Sequence, residues 1–247
     1  MEGFKRQLKF QYLDAKKAFV VFWAIVLLSD VLFHVLNYTT NINSKFGIYW
    51  SEPNINQDSV NVAGGNAMSI LIFILVSCVV MYYKSFPAAI GFSSTRKDFY
   101  KGVIGYNVMI SLAMSVIEAV LLKADRFIVR AMGGEALTDL MYFNCETDSI
   151  FYIIIIVFLL TLLFTSMFNL VGIFVYKIGY KFWIGFGILF MMVGNIKILS
   201  TAILSFATFI ASYNDFITFF IKVIITIVLL HVIAWGFVRK LSIKSNK

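Results

Sequence analysis

Apolar residues run through this chain in long unbroken blocks, not in the short alternating or amphipathic periods of a soluble domain. Six blocks stand out: Ala18–Leu36, Ala67–Tyr83, Gly102–Leu122, Ile150–Tyr176, Phe182–Ser205 and Phe216–Phe237. A helix needs about 20 residues to cross the hydrocarbon core of a bilayer, and the blocks cluster around that length. Their continuity excludes a transmembrane β-barrel, whose strands alternate apolar and polar positions. The pattern predicts an all-α membrane protein with six spans, organised as one transmembrane domain over residues 1–247.

Two blocks carry extra detail. Ahead of the first span, Phe4, Leu8, Tyr12, Ala15 and Phe19 recur at helical spacing while Lys5, Lys9 and Lys16 fall elsewhere. This predicts an amphipathic interfacial helix over 1–17; the plainer reading is a basic anchor. Beyond the fifth block the chain stays apolar as far as Tyr213, with Gly194-Asn195, Lys197 and Ser200-Thr201 interrupting it. A single helix of that extent would reach about 45 Å, well past the hydrocarbon core. The span is therefore expected to end near Lys197, with Ile198–Ser212 forming an extra outer helix. Of the polar connections, Asn37–Val62 and Lys123–Ser149 are too short for folded receptor domains, and a short helix is expected near Glu135–Phe143.

Composition agrees with the block pattern: 60% of the 247 residues are hydrophobic and 14% charged, against about 25% charged in soluble domains. Charge then sets orientation. Fifteen of the 21 Lys and Arg fall on one side, in the N-terminal segment, the 84–101 connection, Lys177 with Lys181, and the C-terminus. The positive-inside rule places that side, with both termini, in the cytoplasm. The net charge of +8 reads as topology and headgroup attraction, with no nucleic-acid partner. Cys78 in a span and Cys145 in an outer loop cannot meet in a disulfide without losing that topology. Asn37-Tyr38-Thr39 matches a glycosylation sequon.

Ionisable residues inside spans are costly and mark candidate sites. Asp30, His34, Glu118, Lys197 and Lys222 are the candidates, and all fall in the outer halves of their spans. Asp30 and His34, four apart, share a helix face and are expected to bond. The set reads either as an outward polar pathway or as lysines snorkelling to headgroups. His231 reads as a packing residue or hydrogen-bond donor.

The most basic internal connection is FPAAIGFSSTRKDFYKG, Phe86 to Gly102. Gly91 is placed to supply the backbone freedom of a tight turn, and Thr95 with Asp98 has capping-box spacing. The segment reads as an elbow presenting Arg96 and Lys97, with Phe92 and Phe99 as apolar anchors for a soluble partner; it reads equally as an ordinary basic loop before a helix. Phe86, Pro87, Ser94 or Thr95, Arg96, Lys97, Phe99 and Gly102, followed by a span holding Glu118, resemble the intracellular connection of small bacterial type-2 ABC exporter permeases. The likeness extends over nearly the whole chain in span number and terminal elements.

The resemblance implies that Gly91, Ser94, Thr95, Arg96, Lys97, Asp98 and Phe99 form a coupling helix gripped by an ABC ATPase subunit. It implies a second permease copy or a related permease, in homodimer or heterodimer, in a bacterial plasma membrane, and export of a hydrophobic or amphipathic substrate such as a peptide. No phosphate-binding G-x-x-x-x-G-K-[ST] loop occurs, so ATP and Mg are expected in the partner, and this chain is expected to be neither an enzyme nor a cofactor or metal protein. Intramembrane hydrolysis lacks its motifs. A six-span importer subunit, or a membrane sensor or immunity protein acting by binding, are the alternatives.

Overall fold

The structure is a computed structural model describing residues 2–39, 47–50, 59–213 and 215–242. Seven helices dominate it, α1 (Glu2–Thr39), α2 (Ala63–Gly91), α3 (Arg96–Ala131), α4 (Ile150–Ile178), α5 (Lys181–Asn195), α6 (Lys197–Ala211) and α7 (Phe216–Val238). Helices α1, α2, α3, α4 and α7 are long and apolar enough to cross a membrane. The chain is therefore a multi-pass helical membrane protein.

The predicted blocks and these helices differ in three instructive places. First, the segment ahead of the first span is helical but not a separate element: α1 is one helix of 38 residues, about 57 Å long at the standard rise. Nothing between Lys5 and Leu36 is a proline or glycine, so no residue there stops a helix already under way. Second, the fifth block divides at Ile196, as expected near Lys197, and α6 is the expected extra helix, but the first piece, α5, is shorter than a span. Each has 15 residues, about 22 Å, so neither matches a hydrocarbon core of about 30 Å. The break lies where Gly194, Asn195 and Lys197 interrupt the apolar run. Third, α3 continues nine residues past the expected end at Leu122, carrying Lys123, Asp125, Arg126 and Arg130 on helix rather than loop.

The chain groups into two compact units. One comprises Met1–Gln11, Leu75–Gly105 and Leu162–Lys247, the other Tyr12–Ile74 and Tyr106–Thr161.

In the second unit, β1 (Ile48–Trp50) pairs antiparallel with β2 (Ser59–Asn61), and β2 pairs parallel with β3 (Glu135–Ala136). The expected helix near Glu135–Phe143 is replaced by β3 and a hairpin of β4 (Asp139–Leu140) with β5 (Phe143–Asn144). Gly133, at φ 80°, ends α3 in a conformation that costs a glycine little. The segment beyond it then finds open backbone groups on β2, where Leu137 N–H donates to Val60 O. Asn61 ties the loops together, donating to Leu137 O at 3.0 Å and accepting from Gly64 N at 2.7 Å. Beneath them, Ala63, Ala119, Leu122, Cys145 and Ile153 form one buried apolar cluster. Cys78 and Cys145 are both free thiols.

In the first unit, α2 and α4 touch backbone to backbone. A Cβ placed on Gly172 would lie 2.7 Å from Cys78 O, so the close approach requires glycine. A turn away, Tyr82 donates its hydroxyl to Asn169 Oδ1 at 2.7 Å. Tyr100 bonds His231 through both the ring Nδ1 and the carbonyl, at 3.0 and 2.9 Å, and Ser166 Oγ lies 3.2 Å from Nε2. His231 is thus held on both ring nitrogens as a packing and hydrogen-bonding residue.

Candidate functional site

Two places gather the sequence-derived candidates. The first is the elbow between α2 and α3. Pro87 offers no N–H, and its ring crowds the carbonyl four residues earlier. The helix widens into a π-type turn over Met81–Ser85 immediately ahead of it. It then ends in a Schellman motif: Ser94 N–H donates to Ala89 O and Ser93 N–H to Ile90 O. The left-handed residue is Ser93, at φ 61°. Gly91, expected to supply the turn, is still helical.

The predicted cap is in place. Asp98 N–H donates to Thr95 Oγ1 at 3.0 Å, and the Thr95 hydroxyl donates to Asp98 Oδ2 at 2.8 Å. Three ties then hold the elbow. Gln7 Nε2 of α1 donates to Ser94 Oγ, and Arg96 Nε donates to Leu241 O of the C-terminal segment at 2.9 Å. Gly102 approaches Gln7 so closely that an added Cβ would lie 2.9 Å from Gln7 Cβ. Phe99, expected to face a partner, is fully buried, edge-on to Tyr82 and Phe86 at centroid distances of 6.0 and 5.2 Å. It anchors the elbow from inside. What the elbow exposes is Phe92 (74% exposed), Ser93, Thr95, Arg96 and Lys97.

The second place lies in the other unit. Trp23, Val26, Asp30 and His34 form a buried stripe on α1, and Glu118, Leu122, Asp125 and Val129 form one on α3. Asp30 and His34 do not bond each other as expected. Asp30 Oδ2 accepts from Asn66 Nδ2 at 3.0 Å, and His34 Nε2 lies 3.1 Å from Asp125 Oδ1. Ala63 N–H also donates to Asp125 Oδ1, at 3.2 Å. Glu118 reaches Asn66, and its carboxyl lies near enough to Asp30 and Asp125 to repel both. Asn66 and Asp125 were not among the candidates. Hydropathy assigns Asp125 to a loop, although its spacing of seven from Glu118 puts both on one helix face. Among the described residues, no three His, Cys, Asp or Glu side chains are arranged to hold a metal ion.

Lys197 and Lys222 belong to the first unit. Lys197 is exposed at the start of α6. Lys222 Nζ donates to Phe209 O at 3.1 Å and to Ser212 O and Oγ at 2.8 Å each. It thereby neutralises the carbonyl end of α6, where the helix dipole favours a cation. Outside the spans, Arg130 meets Glu146 bidentately at 3.0 and 2.8 Å, which holds the Glu146 carboxyl below its ordinary range. Burial pushes the Cys145 thiol up to about 11.

No family model, curated protein or solved structure matches this chain.

Proposed function

We propose that this chain is the membrane-spanning permease subunit of an ATP-driven ABC exporter for a hydrophobic or amphipathic substrate, a peptide foremost. The observation that carries the reading is the build of the elbow. It is short and capped, it exposes Phe92, Arg96 and Lys97 together, and hydrogen bonds tie it to α1 and the C-terminal segment. An ordinary connecting loop needs no such bracing, since loops tolerate mobility and variation. A handle does, because force applied to a slack segment moves only that segment.

In this reading a separate ATPase subunit seats Phe92 in an apolar groove, and Arg96 and Lys97 meet acidic residues at its rim. Closure of the motor around ATP pushes the start of α3, and the ties pass that motion to α1 and the chain's end. A second permease, identical or related, supplies the other wall of the pathway. Both termini and the elbow lie in the cytoplasm.

The test is co-purification. The protein extracted in mild detergent from its native cells brings down a chain with an ATP-binding cassette, and Lys97→Glu combined with Arg96→Glu abolishes that association while membrane insertion is retained. Association unchanged by the charge reversal overturns the role given to the elbow.

A further inference from the structure

The buried cluster on α1, α2 and α3 is unbalanced in charge. Asp30, Glu118 and Asp125 are each more than nine-tenths buried. In each, one oxygen is without a hydrogen-bond partner: Asp30 Oδ1, Glu118 Oε2 and Asp125 Oδ2. The cationic candidate among their partners is His34, seated on Asp125. One imidazole against three carboxyl groups leaves at least two of them without a cationic partner among the described residues. Isolated buried carboxylates are too costly to persist beside each other, and such groups take up a proton instead.

Among the described residues, the surroundings offer no other cation to the cluster. The cluster's α2 member, Asn66, is neutral. On the α4 side, Ile153 packs with Ala119 and Leu122. Cys145 lies near Asp125; of its basic neighbours, Lys123 Nζ donates to Asp148 O, and Arg126 turns Nη1 to Glu146 at 4.0 Å while its buried Nε has no partner.

We propose that this cluster is a proton-binding site, in which Glu118 is held as a neutral carboxylic acid beside Asp30, with His34 seated on Asp125. A carboxylic acid has the O–H donor that a carboxylate lacks, so the proton supplies both charge balance and a donor for the unpartnered oxygens. The inference stands independently of any motor subunit.

Dicyclohexylcarbodiimide is the probe. It adds to protonated carboxyls in apolar surroundings: the acid proton passes to a carbodiimide nitrogen, and the carboxylate oxygen bonds to the central carbon. The adduct then rearranges to a stable N-acylurea. Wild-type protein in its membrane is expected to be modified at Glu118, identified by mass spectrometry of the cleaved chain. Above the site's midpoint, the rate should fall about tenfold per unit of pH, equally in sodium, potassium and choline salts. Absence of label on Glu118 overturns the proposal, as does labelling blocked by sodium alone, which would assign the site to a metal cation.

Glu118→Gln gives an independent readout, because the amide copies the neutral acid and cannot ionise. The wild-type melting temperature should fall with rising pH more steeply than that of Glu118→Gln. Parallel pH profiles would contradict the inference.

Discussion

Replacing Gly172 by alanine tests the packing that holds the elbow's supporting helices together. The new Cβ would lie 2.7 Å from Cys78 O, 3.0 Å from Cys78 C and 3.0 Å from Tyr82 Cδ2. Two of these atoms are helical backbone, which no rotamer change can move. The shortest contact falls about 0.7 Å below the 3.4 Å at which van der Waals contact becomes ordinary, so α2 and α4 must part by most of that amount. The hydroxyl of Tyr82 sits 2.7 Å from Asn169 Oδ1. A separation of that size stretches the bond beyond the roughly 3.0 Å limit for a good O–H···O bond. Overpacking costs about 1–3 kcal/mol and a broken buried bond about 1–3 kcal/mol. Better helix propensity of alanine returns about 1 kcal/mol.

The expected net loss is about 1–5 kcal/mol, measured as a lower midpoint in thermal unfolding in detergent followed by size-exclusion chromatography. Gly236→Ala is the control: an added Cβ there meets nothing within 4 Å, and the variant should match or slightly exceed wild type. Combining Gly172→Ala with Tyr82→Phe should cost less than the sum of the two, because the first substitution already breaks the bond the second removes. Equal midpoints for Gly172→Ala and Gly236→Ala would refute the reasoning.

Two further outcomes follow from local geometry. Ser93→Gly should raise stability by about 0.5–1 kcal/mol, since it removes the left-handed strain of a residue bearing a Cβ; Gly91→Ala, helical and with open space for its Cβ, should not lower it, and a thermal melt of both variants decides between the two positions. Cys145, buried and with its thiol raised to about 11, should resist N-ethylmaleimide in the folded protein at neutral pH and react only as the pH approaches that value or the chain unfolds. Rapid labelling of native protein, quantified by intact mass, would contradict that burial.

Much of the architecture was legible because lipid demands long apolar runs, and five of the six blocks are helices of spanning length. The cap at Thr95 and Asp98 was legible because capping is a local contract between two side chains. The break before Lys197 was marked by Gly194, Asn195 and Lys197 within an apolar run.

Hydropathy misled where helix propensity and polarity part company. Lys-Ala-Asp-Arg after Leu122 looks like a loop by polarity, yet these residues continue α3 and carry Asp125 to His34. The unbroken α1 was missed for a related reason: an amphipathic stretch and an apolar one join without any residue to end the helix. Asn66 had no sequence signal, since an asparagine at the start of a span is common and its partners Asp30 and Glu118 lie on other helices. Phe99 was misdirected because an aromatic beside charges resembles an anchor, while its position relative to Tyr82 and Phe86 emerges only when the elbow folds back.

The most direct test of the proposed role places a photoreactive benzoyl-phenylalanine at Phe92, the exposed tip of the elbow, in the full-length protein in its native membrane. Irradiation should join this chain to a subunit carrying a phosphate-binding ATPase loop, with the adduct lost when Lys97→Glu and Arg96→Glu are added. Cross-links to lipid alone, or to no such ATPase, would contradict the account.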